Sequence, residues 1–180
     1  MPKIHYRDLI KDEMNLTLFK DFNRHQKVEK CWRKEKGEWE LKDIAFTEYW
    51  SPDEYKELTD YLKKTLSTGG VVFGAFSQEA LIGFASVENE LFGSNKEYLQ
   101  LSCIHVSSGC RGRGIGKKLF ELVGNKAKEL GAIKLYISAH SSEESIAFYH
   151  NLGCVEATEY NLKLVAEEPW DCQLEYHLLK

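Results

Sequence analysis

The stretch CRGRGIGKKLF, residues 110–120, places three glycines and several cationic side chains directly before a helix with an apolar periodicity. Glycines let the backbone turn tightly and let a ligand approach it without obstruction by side chains. Unpaired N–H groups at the start of a helix attract anions, and Arg111, Arg113 and Lys117 add positive charge around them. These features suit a pyrophosphate group; the alternative is a flexible loop with a solvated basic face.

Two other phosphate-binding motifs do not fit this stretch. A P-loop requires serine or threonine after its Gly-Lys pair, and here Gly116 and Lys117 are followed by Lys118. A dinucleotide-binding fingerprint requires G-x-G-x-x-G spacing and an acidic residue at the end of the next strand. Here the glycines run G-x-G-x-G, and the next strand, IKLYISA, ends without an acid.

The elements around this loop must hold it at the edge of a sheet. The segment EYLQLSCIHV predicts a strand before the loop, and residues 115–130 follow the i, i+4, i+7, i+8 pattern of a helix with one buried face. IKLYISA predicts the strand after that helix, so the three elements form a right-handed parallel βαβ unit. SSEESIAFYHNLG then predicts a short helix that ends at Gly153.

The rest of the chain supplies the other strands and helices of an α/β fold. KIHYRDL predicts a first strand and MNLTLFKDFN a first helix, whereas residues 24–50 lack clear periodicity and are expected to form an irregular excursion. Ser51, Pro52 and Glu54 have the spacing of a capping box at the start of a second helix. The segments VVFGAF and LIGFASVENE predict a hairpin, and CVEATEY and DCQLEYHLL two final strands. We therefore expect a mixed, mostly antiparallel sheet with helices on both faces.

Composition limits the classes of protein to which this chain can belong. Its 180 residues, 43% hydrophobic and 29% charged, predict one soluble domain spanning residues 1–180. A net charge of -4 argues against a nucleic-acid partner, and no apolar run is long enough to predict a membrane span. The five cysteines contain no C-x-x-C pair. This argues against a disulfide framework and against a metal site, and it favours the reducing environment of the cytoplasm.

Two segments resemble the GNAT family of N-acetyltransferases. Arg111-Gly112-Arg113-Gly114-Ile115-Gly116 matches the family signature R/Q-x-x-G-x-G/A, and SSEESIAFYHNLGC is similar to the family's N-x-x-A/S-x-x-x-Y-x-x-x-G-F/C helix. The resemblance covers the order of elements from about residue 70 to the end. It implies the acyl-CoA N-acyltransferase fold, in which a central pair of parallel strands splays apart, with residues 99–153 as the acetyl-CoA-binding core.

The resemblance also implies which residues bind acetyl-CoA. The loop amides of 111–116, with Lys117, would hold the pyrophosphate, and the backbone of Ile104, His105 and Val106 would pair with the pantetheine arm. Ser142 stands where the family often has asparagine, and it either contacts the pantetheine or only caps its helix. His105 is either a catalytic base or, as is commoner for a histidine in an apolar strand, a structural residue.

Tyr149 and Glu88 are the predicted catalytic residues. The family places a tyrosine at the position of Tyr149 near the sulfur, where a phenol can protonate the leaving thiolate. Gln100 stands where histone-modifying members have a glutamate, and an amide cannot accept a proton as a carboxylate can. Glu88 is then the nearest candidate base, ahead of Glu90 and Asp43, and a water chain is an alternative. Cys103 is the cysteine that would carry a covalent intermediate if one existed, but a buried, inert thiol is commoner.

The expected reaction is acetyl transfer from acetyl-CoA to a primary amine of a small cationic molecule, by direct attack in a ternary complex. The excursion 24–50 would supply the acceptor pocket through aromatic rings and carboxylates that can hold an ammonium group. The candidates are Trp32, Trp39, Phe46, Tyr49, Trp50, Glu38, Glu40, Asp43 and Glu48. A CoA-binding or regulatory module without efficient transfer, and an acetyltransferase of protein N-termini or lysines, are the alternatives. A homodimer formed through the last strands also remains open.

Overall fold

The protein, described here from a computed structural model over residues 2–178, contains a seven-stranded sheet and a separate two-stranded sheet. The strands are β1 (Ile4–Asp8), β2 (His25–Glu35), β3 (Glu38–Tyr49), β4 (Val71–Ser77), β5 (Ala80–Val87), β6 (Tyr98–Val106), β7 (Lys134–Ala139), β8 (Val155–Glu156) and β9 (Cys172–His177). The helices are α1 (Pro52–Ser67), α2 (Ile115–Glu129), α3 (Glu143–Leu152) and α4 (Leu162–Glu167). The larger sheet has the order β1-β4-β5-β6-β7-β9-β8, and β2 pairs with β3.

The central strands β6 and β7 are parallel, and they separate after three residue pairs. Residues 98–100 of β6 pair with residues 134–136 of β7. Beyond that point β6 pairs only with β5, and β7 pairs only with β9. All the other strand pairs of the larger sheet are antiparallel, so the mixed, mostly antiparallel sheet with a splayed parallel pair is confirmed.

Helices cover the two faces of this sheet and bury separate clusters of apolar side chains. On one face, α2 buries Ile115, Leu119 and Val123 against β4, β5 and β6. A Cβ added at Gly83 of β5 would lie 3.0 Å from Ile115 and 3.1 Å from Leu119, so glycine allows the close approach of this helix. On the other face, α1 buries Leu62 beside β4 and β5.

The start of α1 is as the sequence predicts. The Ser51 side chain accepts a hydrogen bond from Glu54 N at 3.2 Å, and the Glu54 side chain accepts one from Ser51 N at 2.6 Å. This reciprocal pair satisfies two backbone donors that the first turn of a helix leaves without partners. The capping box is therefore confirmed.

Residues 24–50, expected to be irregular, instead form the long hairpin β2–β3. Its turn contains Lys36 and Gly37 with positive φ angles of 49° and 83°, as the two-residue turns of hairpins require. Both faces of the hairpin are largely exposed, and only Gln26, Val28 and Cys31 are buried. Trp39 and Leu41 alternate with charged residues in β3, but a bulge opposite residues 28–30 interrupts the alternation, which obscures the strand in the sequence.

Two further elements differ from the expectation. The segment MNLTLFKDFN forms no α-helix; the chain there makes short 3-10 turns at Lys11–Glu13 and Leu16–Phe19, the second of them capped by the Asn15 side chain. Helix α4 was not expected. It is short, none of its residues is fully buried, and Asn161 caps its start.

Candidate functional site

The separation of β6 from β7 opens a cleft of about 1090 Å³ that extends from the loop before α2 to the base of the β2–β3 hairpin. One wall is the half of β6 that has no strand partner on the side of the cleft, and the other includes Ile137 and Ser138 of β7. The predicted site residues that line it are Ile104, His105, Val106, Arg111, Gly112, Gly114, Ile115, Gly116, Lys117 and Tyr149. The predicted residues Arg113, Ser142 and Glu88 are outside its lining.

The loop before α2 presents backbone amides to one end of the cleft. Gly112 and Gly114 both have a φ of +76°, and a Cβ at either position would meet nothing within 4 Å. The first hydrogen bond of α2 runs from Lys118 N to Gly114 O at 3.0 Å, so the amides before Lys118 have no partner within the helix. Open backbone, unpaired amides and the cations Arg111 and Lys117 together form a site suited to an anion.

Helix α3 lies directly beside this loop. A Cβ at Gly116 would lie 3.0 Å from the Phe148 ring, so glycine lets the start of α2 pack against α3. Arg111 Nε donates to the Val106 carbonyl at 3.2 Å, and this contact joins the loop to the end of β6. Within residues 2–178, no strand pairs with the β6 edge that faces the cleft.

Tyr149, on α3, lines the cleft. It is 8% exposed, its ring packs against Phe148 at 5.2 Å, and its hydroxyl takes part in no hydrogen bond with the described residues. Burial raises the pKa of this phenol, and Cys154, Cys103 and Asp171 raise it further. Tyr149 therefore stays protonated at neutral pH and can donate a proton.

His105 and Cys103 are held in uncharged forms. Burial, with the charges of Arg24 and Arg111, lowers the pKa of His105 to about 3. The His105 ring packs against Trp50 at 4.8 Å, as a structural histidine would. Burial raises the pKa of the Cys103 thiol to about 12, so the nucleophilic thiolate is scarce at neutral pH.

Glu88 is separated from the cleft by one hydroxyl group. Its Oε1 accepts hydrogen bonds from Tyr61 at 3.1 Å, Thr65 at 2.8 Å and Ser102 at 2.6 Å. Ser102 lines the cleft, so Glu88 could exchange a proton with a substrate only through that hydroxyl. The alternatives Glu90 and Asp43 are exposed and outside the lining.

Ser142 acts as a helix cap in this structure. It is 1% exposed, and its Oγ accepts hydrogen bonds from Ser145 N and from Gln26 Nε2, each at 3.3 Å. Gln26 belongs to β2, so the serine also joins the hairpin to α3. Of the two roles considered for Ser142, the structure contains the cap.

The aromatic residues expected to form an acceptor pocket in residues 24–50 do not line the cleft. Trp50 packs in the α1-side core against Phe22 and Tyr55, Trp39 donates to Glu156 at 3.2 Å, and Tyr49 is 63% exposed. Trp32 and Phe46 are likewise outside the cleft lining, as are Glu38, Glu40 and Asp43; of the expected set, only Glu48 reaches it. The correction follows from the hairpin, whose alternating side chains point to opposite faces.

Residues from four separate parts of the chain form the end of the cleft that faces the hairpin, which we call the acidic end. They are Arg24, Gln26, Glu48, Ser138, His140, Glu168 and Asp171. Arg24 is 6% exposed and pairs with Glu48 at 3.0 Å, which leaves more carboxylates than cations here. Apart from Glu48, sequence reasoning missed all of these residues, because no motif identifies them.

The acidic end changes the ionisation of Asp171. Burial raises the pKa of Asp171, and the neighbouring carboxylates Glu168 and Glu48 raise it further. Ser138 through a hydrogen bond and His140 through its charge act in the opposite direction. An ammonium group placed at the acidic end would therefore meet an environment that already carries excess negative charge.

Residues 2–178 contain neither a metal-binding cluster nor a helix that could span a membrane. No group of three or more histidine, cysteine, aspartate or glutamate side chains in this part of the chain could hold a metal ion. None of the helices described there combines the length and the apolar character needed to cross a bilayer.

Known proteins resemble this chain in a sequence family and in the fold. The sequence model described as the acetyltransferase (GNAT) family matches residues 35–154, whereas no curated protein matches the chain. Nourseothricin acetyltransferase shares 16% identity with a TM-score of 0.70, over 98% of this chain and 99% of that one. A Bacillus anthracis protein named as a streptothricin acetyltransferase, solved with acetyl-CoA, shares 17% identity with a TM-score of 0.70, over 97% and 99%. An aminoglycoside 6'-N-acetyltransferase with coenzyme A shares 16% with a TM-score of 0.55, over 73% and 83%.

Proposed function

The chain belongs to the GNAT acetyltransferase family, and from that premise we propose that it transfers acetyl from acetyl-CoA to a primary amine of a small cationic molecule. As a GNAT-type protein it is an acetyl-CoA-dependent acetyltransferase. The class of the amine and the direct route of transfer are the proposal. The observation that carries them is one continuous cleft lined by the amides and cations of the loop before α2 and by the carboxylates Glu48, Glu168 and Asp171.

The donor end fits acetyl-CoA. The open space above Gly112 and Gly114, the unpaired amides of the first turn of α2, and Lys117 suit the pyrophosphate. The edge of β6 at Ile104, His105 and Val106 has no strand partner on the side of the cleft, and it can pair with the amide groups of an extended pantetheine arm once Arg111 releases the Val106 carbonyl. Solved neighbours that share this fold contain acetyl-CoA or coenzyme A, which supports the same use of the cleft here.

The acceptor end fits an ammonium-bearing molecule. Glu48, Glu168 and Asp171 outnumber the single guanidinium of Arg24, which Glu48 already pairs. Two neighbours are named for the acetylation of nourseothricin and of an aminoglycoside, the second at nitrogen. The charge of the cleft and these neighbours together support a small cationic amine as the acceptor.

The chemistry of the chain favours direct transfer. The thioester supplies an activated acetyl carbonyl, and Tyr149 donates a proton where the leaving sulfur would lie. The protonated state of Cys103 disfavours an acyl-enzyme, so the amine would attack the thioester itself. Glu88 remains the base predicted from the sequence, with Ser102 as the necessary relay.

A panel of amines assayed by release of free CoA tests the proposal. Nourseothricin, kanamycin and spermidine represent cationic acceptors, glutamate represents acceptors with a net negative charge, and glycine represents acceptors with no net charge. We expect acetyl-CoA consumption to depend on the cationic amines and the product to be an amide. Turnover confined to the neutral or anionic acceptors would contradict the proposed acceptor class.

A further inference from the structure

Asp171, which precedes β9, is the carboxylate at the acidic end whose surroundings are most fully determined. Its Oδ2 accepts a hydrogen bond from Ser138 Oγ at 3.0 Å, and its backbone N–H donates to Glu168 O at 3.1 Å. Its other carboxylate oxygen, Oδ1, has no hydrogen-bond partner within residues 2–178. Asp171 therefore has one oxygen held by the protein and one free within a cleft that it lines.

A chain of hydrogen bonds fixes the role of the Ser138 hydroxyl. Asn161 N donates to Tyr136 OH at 2.8 Å, and Tyr136 OH donates to Gln173 Oε1 at 2.6 Å. Gln173 Nε2 then donates to Ser138 Oγ at 3.1 Å. The Nε2 group of Gln173 can only donate, so Ser138 Oγ accepts from it. Ser138 is left with one hydrogen to donate, and Asp171 must accept it.

The hydrogen bond from Ser138 holds the carboxylate of Asp171 in one orientation. A hydrogen bond donated to a carboxylate favours the charged form, whereas burial and nearby Glu168 and Glu48 oppose it. The balance is a pKa raised from the ordinary aspartate value. A base whose pKa lies closer to the working pH is better matched to an ammonium donor than an ordinary, fully solvated aspartate.

Four of the other titratable groups near Asp171 are less suited to accept a proton, and Glu168, which also lines the cleft, is exposed to solvent. His140 Nδ1 already accepts a hydrogen bond from Ser142 N at 3.2 Å, so this nitrogen is occupied. Glu48 is paired with Arg24 at 3.0 Å. The thiol of Cys172 and the phenol of Tyr149 are protonated, since burial raises the pKa of both.

We propose that Asp171 is the general base of acetyl transfer and takes a proton directly from the ammonium group of the acceptor. The proposal rests on the proposed function, because it requires an amine to enter the acidic end. It replaces a relay through Ser102 to Glu88 with a carboxylate that itself lines the cleft.

The proton and electron balance of this step is complete. One ammonium proton passes to Asp171, and the freed nitrogen lone pair forms the new C–N bond at the acetyl carbonyl. The C–S bond breaks with its electron pair on sulfur, which takes the Tyr149 proton. The second proton on nitrogen restores Tyr149, and Asp171 releases its proton to water. The sum is one ammonium and one thioester giving one amide, one thiol and one proton.

The test compares Asp171→Asn with a matched acid-to-amide change, Glu167→Gln, at an exposed position of α4 outside the cleft lining. The acceptor is whichever of nourseothricin, kanamycin and spermidine the wild type acetylates fastest. The amide introduced by Asp171→Asn could still accept a hydrogen bond from Ser138 but could not take a proton. We expect Asp171→Asn to lower kcat by roughly 100-fold or more, with acetyl-CoA affinity unchanged by calorimetry, and Glu167→Gln to match the wild type.

The pH profile supplies a readout that a merely structural role would not change. In the wild type, kcat/KM falls at acidic pH as Asp171 becomes protonated, and this limb should disappear in Asp171→Asn. Ser138→Ala removes a bond that favours the carboxylate, so the native pKa of Asp171 rises and the acidic limb moves to higher pH.

Three results would overturn the assignment. An Asp171→Asn enzyme with wild-type kcat and an unchanged acidic limb would exclude Asp171 as the base. A larger loss in Glu88→Gln than in Asp171→Asn would favour the relay through Ser102. If the wild type acetylated none of the three amines, the proposed acceptor class itself would fail, and the role of Asp171 with it.

Discussion

Tyr149 is the residue whose role depends most directly on its surroundings. It lines the cleft, its hydroxyl is bonded to none of the described residues, and burial raises the pKa of its phenol. A group in this state remains a proton donor across the neutral range and is free to face a leaving thiolate.

Tyr149→Phe removes that donor and changes little else. The ring still packs against Phe148, so we expect the binding of acetyl-CoA to be nearly unchanged and kcat to fall about 100-fold. Calorimetry of acetyl-CoA binding and steady-state rates with the best amine separate the two quantities. Unchanged turnover would reject the acid role, and a parallel loss of affinity would indicate that the hydroxyl serves binding instead.

Individual residues could be predicted from the sequence only where a local motif contains them. Tyr149 and the loop 111–117 are identified by spacing within short segments, and the structure places both in the cleft, apart from Arg113. Asp171, Ser138 and Glu48 come from three distant elements and meet only because β7 and β9 pair and the hairpin folds over them. No pattern within a single segment indicates that these residues lie close together in the fold. Glu88 was therefore the nearest candidate base that the sequence could offer.

At the scale of elements, the glycine-containing turn before α2 is required for the cleft to stay open. Gly114 has a φ of +76° and is the N-cap of α2, and the space beside it is open. A Cβ there strains the backbone and occupies the space over the unpaired amides. The same φ class occurs at Gly37 in the hairpin turn, where a Cβ also meets nothing within 4 Å.

Gly114→Ala and Gly37→Ala form a matched pair. Both should lower the free energy of unfolding by about 1 kcal/mol, because each places alanine at a positive φ. Only Gly114→Ala should weaken acetyl-CoA binding, by roughly tenfold. A tenfold weaker affinity corresponds to a loss of about 1.4 kcal/mol in the free energy of binding. Chemical denaturation and calorimetry measure the two effects. Equal affinity in both variants would show that the loop amides do not bind the donor.

Elements with strong periodicity or caps could be predicted, and exposed or very short ones could not. The βαβ unit and the α1 capping box are present where the sequence predicts them. The β2–β3 hairpin was missed because charged residues occupy both of its faces. The helix expected near residue 16 was wrong because the chain there makes separate 3-10 turns around Asn15.

At the scale of the whole molecule, one cleft collects charged side chains of both signs, although the net charge of the chain is only -4. Arg111 and Lys117 lie at the start of α2, and Glu48, Glu168 and Asp171 lie at the acidic end. A polyanionic donor and a cationic acceptor would thus each meet opposite charges within the same site. The splayed sheet places both groups of charges in one cleft, because the walls of the cleft continue from the point where β6 and β7 separate.

Calorimetric titration of the folded protein with acetyl-CoA is the measurement that tests this account most directly. We predict saturable binding at one site per chain, with a dissociation constant between about 1 μM and 1 mM, the range of ordinary enzyme substrates. At a ligand concentration of about 100 times that constant, the free energy of unfolding should rise by about 2.7 kcal/mol. Absence of binding and of stabilisation at millimolar acetyl-CoA would contradict the assignment of the cleft.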